Sequence, residues 1–334
     1  MSVLFLLTSP EPAIEGTDAV FQEVATLKEA VGGESVNLCP RERTGTPFPP
    51  QLFGFHKVPQ LWRAERRRQV NHLYFSVPYY FPVLRFLKNP VVYTVVASLA
   101  GRSPPAHIDR LNALHSLVVS SERDAEVLRF WGVKNCTVIP PAIDAPGLAL
   151  QTLPLGTEMT LLMASAPWVE EQFDTKGVDV LLEAVARDPR IKLILLWRGL
   201  LLDELKTRIA KFGVGDRVEV VPGRVDIGDY LKRAHAAVLL AKRSDIVKAY
   251  PHSLIEALLA GKPVILTEAL PMADYIRQRD CGIVAESADT PGFLSAIEAL
   301  RSRYGALAAN ARAIESRAFA KAAMIERYRA LYGL

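Results

Sequence analysis

Twice along this chain, short apolar runs alternate with stretches of helical periodicity, a pattern that allows little but parallel sheets wrapped by helices. Strands buried on both faces read as unbroken apolar runs rather than as alternation, and Val3–Leu7 and Val91–Val96 read that way. The first series predicts strands at 3–7, 35–39, 72–76, 91–96, 117–120 and 136–139, with helices near 18–31, 60–70, 78–87, 105–113 and 122–132. The second predicts strands near 159–164, 191–197, 217–221, 236–240, 263–266 and 282–285, with helices at 177–187, 200–212, 227–234, 253–260 and 290–303. The stretch from Gly305 to Tyr328 reads as helical. At 334 residues the chain is long enough for two cores, so two doubly wound domains are expected, 1–150 and 151–334, parting between Pro146 and Thr157.

Half of the residues are hydrophobic and 23% charged, which excludes a disordered chain. The 40 Lys and Arg nearly balance the 36 Asp and Glu, so no field of the kind that attracts nucleic acid is implied. Cys39, Cys136 and Cys281 lie too far apart for a zinc ribbon and are expected to be reduced. Ser2–Thr8 is too short an apolar run for a signal peptide, and no window reaches a membrane span. A cytoplasmic protein is expected, with contact at a membrane surface left open. Leu61–Arg68 is basic and carries Trp62; it reads as a solvated helix face or as a contact for an anionic acceptor or lipid headgroup. Its oligomeric state is not legible.

The chemistry is concentrated in Lys248–Val264, where Pro251, His252 and Ser253 open a helix and Gly261 ends it before the apolar run Pro263–Leu266. Ser253 can cap. A helix entrance beside hydroxyl, imidazole and ammonium groups suits an anion, phosphate above all. Arg198 closes the strand Ile191–Trp197, where its guanidinium could grip a diphosphate or make a domain-packing ion pair. Glu15-Gly16-Thr17-Asp18 is either an ordinary strand-to-helix turn or a ligand-facing loop. There is no Gly-x-Gly-x-x-Gly and no Walker loop.

Ser253-Leu254-Ile255-Glu256-Ala257-Leu258, followed by Ala260-Gly261-Lys262-Pro263-Val264-Ile265, resembles the signature of a large family of retaining glycosyltransferases. That family, glycosyl transferases group 1 or family 4-like, includes sucrose synthase and bacterial lipid mannosyltransferases. The turn Ile139-Pro140-Pro141-Ala142-Ile143-Asp144 is similar to the one ending the family's first domain. The resemblance implies an α/β GT-B fold: two Rossmann-like domains with a cleft between them and a last helix crossing back to the first. The first domain would take a saccharide, lipid or small-molecule acceptor, with Gly16 and Thr17 in its loop. The second would take a UDP- or GDP-linked sugar and transfer it with retention, without metal or further cofactor.

Residue by residue, the resemblance places Glu256 on the ribose hydroxyls and Lys176, in Lys176-Gly177, on the diphosphate. Gly223, Arg224 and Val225 would lie beside the base, and Lys248, His252, Ser253 and Leu254 around the donor. Lys176, Arg198 and Glu256 are the residues expected to carry catalysis. The chain departs from the family at Lys248, where a Glu is usual, at Glu171, where an Arg is usual, and at Val96-Ala97-Ser98, where a His is usual; His107 is the nearest imidazole. These departures keep a second class open, a nucleotide-sugar-binding protein without turnover. A related enzyme, such as an epimerase or a phosphorylase, is a further alternative.

Overall fold

The computed structural model describes residues 2–9, 18–39, 49–143, 153–198, 200–314 and 316–334, and of Ser316 and Arg317 the backbone only. The chain divides into two units, Met1–Ala142 with Lys321–Leu334, and Ile143–Ala320. Most of the stretch where a boundary was expected lies outside the described residues.

Unit 1 holds a parallel six-stranded sheet in the order β2-β1-β3-β4-β5-β6. The strands are β1 (Val3–Leu7), β2 (Gly33–Asn37), β3 (Val70–Phe75), β4 (Val91–Val95), β5 (Ser116–Val119) and β6 (Cys136–Val138). Every residue of β1 and β4 is buried, as a strand covered on both faces requires. The helices are α1 (Ala19–Val31), α2 (Val58–Glu65), α3 (Ile108–Asn112) and α4 (Glu122–Phe130). Asp18 caps α1 by accepting from the amides of Val20 and Phe21, and Ser121 caps α4 through the amide of Asp124. The helix expected at 78–87 is only a 3₁₀ turn, Pro82–Phe86, because Pro82 has no N–H to give to the carbonyl of Pro78. The helix expected to run to 70 ends at Glu65, since Val70 opens β3 opposite Val3.

Unit 2 repeats the plan in the order β12-β11-β10-β7-β8-β9. Its strands are β7 (Met159–Met163), β8 (Ile191–Trp197), β9 (Val218–Pro222), β10 (Ala236–Leu239), β11 (Val264–Thr267) and β12 (Gly282–Ala285). Its helices are α5 (Gln172–Thr175), α6 (Val178–Arg187), α7 (Leu202–Phe212), α8 (Ile227–Leu231), α9 (His252–Leu259), α10 (Met272–Arg279) and α11 (Thr290–Arg312). Sequence periodicity misses α10, whose buried Met272, Ala273 and Ile276 make too short a stripe to read. It also stops α11 too early. Tyr304, Leu307, Ala308 and Ala311 carry the buried stripe on, and Gly305 faces open space.

The last helix, α12 (Lys321–Tyr332), belongs to unit 1. It buries Met324, Tyr328 and Tyr332 in one cluster with β1, β3 and α1. A polar chain runs through the contact. His72 on β3 bonds the Tyr332 hydroxyl through Nδ1 at 2.6 Å and the Thr94 hydroxyl through Nε2 at 2.7 Å. The hydroxyls of Tyr328 and Tyr74 both donate to Glu23 on α1 at 3.1 Å. Burial pushes the His72 imidazole down to about 3, so it is neutral in the fold. The α/β architecture of two Rossmann-like units is the one the sequence leads one to expect.

Candidate functional site

The strand order of unit 2 reverses at β7: the chain moves outward through β8 and β9, then returns to lay β10 and β11 on the other side. In open parallel sheets, ligands bind outside the carboxyl ends of the strands at such a switch point. Two corners of the chain meet there. At the first, Gly177 has φ +78, and a Cβ would stand 2.5 Å from Cβ of Leu240 and 2.7 Å from its carbonyl oxygen. Only glycine lets the α5–α6 turn press onto the end of β10. The amide of Lys242 donates to the Thr175 carbonyl at 2.8 Å and locks the contact. Lys176 is buried at this corner, where Nζ donates to the Ala166 carbonyl at 2.9 Å. Desolvation lowers its pKa to about 8, so it remains an ammonium at neutral pH.

The second corner is the entrance of α9. The helix starts at His252 with Pro251 as its N-cap, and no side chain caps it. The cap expected of Ser253 is therefore not made: the hydroxyl lies within the first turn because Pro251, with φ fixed at −63, starts the helix sooner. Leu254 turns into the core and anchors the turn. Nε2 of His252 is buried and has no partner among the described residues. Burial, then the nearby charges of Lys248 and Arg198, push this imidazole down to about 3, which leaves it neutral. One turn on, burial raises the Glu256 carboxyl to about 7; Arg198 pulls it down and Asp226 pushes it up. Those couplings place Arg198, Lys248 and Asp226 around the first turns of α9.

Arg198 is exposed just beyond β8, next to a loop that Trp197 steadies by donating from Nε1 to the Leu200 carbonyl at 2.6 Å. Gly223, with φ +87, donates its amide to the Trp197 carbonyl at 2.8 Å, which sets the β8 and β9 ends side by side. Arg224 is exposed beyond it, and Val225 packs on the core.

The structure thus brings Arg198, Lys248, His252 and Glu256 together and sets Lys176 and Gly223 on the same edge of the sheet. It adds Asp226, overlooked in the sequence although an Asp ahead of Ile227 is an ordinary N-cap signal; its carboxylate accepts from the Gly228 amide at 2.8 Å. Gly16 and Thr17 lie outside the described residues. Glu171 pairs with Arg243 at 3.4 Å. His107 is exposed with φ +64, and Ser98 is buried, donating to Asp124 at 2.8 Å, so neither supplies the imidazole usual at the end of β4. Among the described residues no group of three His, Cys, Asp or Glu is placed to hold a metal ion. No helix among them is long and apolar enough to cross a membrane.

Three similarities bear on this site. LpsE of Rhizobium meliloti, a lipopolysaccharide core biosynthesis glycosyltransferase, is 30% identical over 125 residues; the match spans 37% of this chain and about a third, 36%, of that protein. HepE of Anabaena, solved in complex with UDP, superposes with a TM-score of 0.74 over 100% of both chains at 16% identity. WaaG, a glycosyltransferase involved in lipopolysaccharide biosynthesis, superposes with a TM-score of 0.67 over 96% of this chain and 98% of its own at 17% identity. Residues 168–314, which include every described site residue named above, match the family model for glycosyl transferases group 1, in a chain with the GT-B fold.

Proposed function

We propose that the protein transfers a sugar from a nucleotide-diphosphate donor, UDP- or GDP-linked, to a saccharide, lipid or small-molecule acceptor, with retention of configuration. The observation that carries this reading is the first turn of α9, where uncapped amides, a neutral imidazole, two cations and a carboxyl held near neutrality meet at the switch point. The helix entrance and Arg198 take the diphosphate, and Glu256 accepts hydrogen bonds from the ribose hydroxyls. Lys176 adds positive charge behind them. Side chains and helix end together stabilise the leaving diphosphate, so turnover is expected to survive a chelator. Unit 2 is the donor side of the proposal, unit 1 the acceptor side, and a cytoplasmic setting is part of it. The UDP and UDP-glucose complexes of HepE make UDP the first nucleotide to try.

UDP or GDP at about 100 times its dissociation constant should stabilise the fold by roughly 2.7 kcal/mol, and a melting temperature that no nucleoside diphosphate moves at millimolar concentration would sink the proposal. Arg198→Ala should weaken diphosphate binding by roughly 10- to 150-fold and leave the bare nucleoside nearly unaffected, the loss expected of a charge-assisted bond. Lys248 stands where a sugar-hydroxyl acceptor is usual, and an ammonium can only donate. It would favour a donor sugar bearing an anionic group, in which case Lys248→Glu loses that donor more than Lys248→Ala does. The same residue favours the rival reading, binding without turnover. Donor hydrolysis without acceptor separates the two, since a binding protein holds nucleotide and releases no sugar.

A further inference from the structure

The outer surface of unit 1 carries an aromatic patch that donor chemistry does not use. Phe55, Trp62 and Phe86 are all exposed, 40%, 47% and 41%, yet they touch one another: Phe86 lies edge-on to Phe55 at 5.9 Å and to Trp62 at 6.5 Å between ring centres. The Trp62 indole donates to the Phe86 carbonyl at 3.0 Å, which fixes the cluster to two segments distant in sequence. Leu52, 48% exposed, sits on the short turn Pro50–Leu52, which packs against the turn Pro82–Phe86. On α2, Leu61, Ala64 and Glu65 face inward while Pro59, Trp62 and Arg63 face out, and Arg66 follows just past the helix end.

The two segments that carry the patch are strongly basic. Residues 49–69 and 76–90 contain Lys57, Arg63, Arg66, Arg67, Arg68, Arg85 and Lys88, against the single acid Glu65. Glu65 is buried and consumed internally: it accepts from the side chain of Asn71 at 2.9 Å and from the amides of Lys88 and Asn89 at 2.7 and 2.8 Å. Arg68 is paired with Glu34. Among the described residues no carboxylate pairs with the other six. A surface that leaves large apolar side chains in water, on segments whose one acid is buried, suits a partner that is apolar within and anionic at its face. Tryptophan with arginine beside it is the composition that settles at the headgroup boundary.

We propose that this face docks on an anionic lipid bilayer, with Phe55, Trp62 and Phe86 entering the headgroup layer and the surrounding cations meeting lipid phosphates and carboxylates. The proposal is independent of the donor reading and can fail without it. The test is co-sedimentation of the full chain, without nucleotide, with vesicles of phosphatidylcholine alone and of phosphatidylcholine carrying phosphatidylglycerol. Binding is expected only to the anionic vesicles and should weaken with salt. Arg63→Glu with Arg66→Glu should weaken it about fivefold or more for each charge changed. Trp62→Ala with Phe55→Ser should weaken it about tenfold, and both pairs should melt where the parent does. Equal binding to neutral vesicles, or wild-type binding by the Trp62→Ala, Phe55→Ser pair, overturns the proposal. So does tighter binding to duplex RNA that ignores the aromatic pair, or a dimer in solution that the aromatic substitutions dissolve.

Discussion

Lys262 is 1% exposed, and its ammonium has no hydrogen-bond partner among the described residues. A buried charge without a counter-charge is costly, and desolvation lowers this lysine to about 8. Between that value and the 10.5 of an unburied lysine the unfolded chain binds the extra proton, so stability should rise as pH rises from about 8 to 10.5. Lys262→Met, of similar volume and no charge, is expected to stabilise the fold by about 2 kcal/mol at pH 7 and to flatten that rise, as denaturant titrations at pH 7 and 10 would show. Lys176, lowered by the same cause, keeps its part of the slope in that variant. Glu256 runs the other way. Its folded pKa of about 7 lies above the usual 4.5, so the native state holds the extra proton, and stability falls as pH rises through that interval. Ribose hydroxyls donating to the carboxylate would favour its charged form. Affinity for UDP should then drop as pH falls below about 7, while a dideoxy-UDP shows no such drop; parallel pH profiles for the two would remove Glu256 from the ribose.

Among the elements, the α5–α6 corner is the least tolerant. Gly177→Ala adds a Cβ against Leu240 at a backbone angle that L-residues avoid, and should cost about 2–4 kcal/mol, visible as a lower denaturant midpoint. That Lys-Gly pair was legible in the sequence because a motif carried it. So were the strands, since a run buried on both faces announces itself. Local pattern misled where a proline decided the ladder, at Pro82 and at Pro251, and where pairing in the sheet cut a helix short, at Val70. The site was legible in part. Lys176 and Arg198 stand at helix and strand ends, where position along the chain foretells position on the sheet, and Glu256 lies one turn into α9. The neutrality of His252 and the upward push of Asp226 on the Glu256 pKa depend on burial and neighbours that no spacing encodes.

At the scale of the molecule, the buried chain of His72, Thr94, Tyr328 and Tyr332 joins residues more than 200 positions apart. His72 is neutral in the fold and gains a proton on unfolding below pH 6.5, so unit 1 should lose stability steadily as pH falls from 6.5 towards 3. His72→Asn should shallow that decline, measured by the fluorescence of unit 1 across an acid titration. The connectivity matters as much as the chemistry. Unit 1 is built from Met1–Ala142 and Lys321–Leu334, with all of Ile143–Ala320 translated between them. On the ribosome, the first-made sheet must therefore wait, the part of one face that α12 covers still bare, while unit 2 emerges and can close on itself. A chain stopped after Ala320 should accordingly yield a folded unit 2 beside a unit 1 that recruits chaperones or aggregates. The first half of the gene would be the last part of the protein to mature.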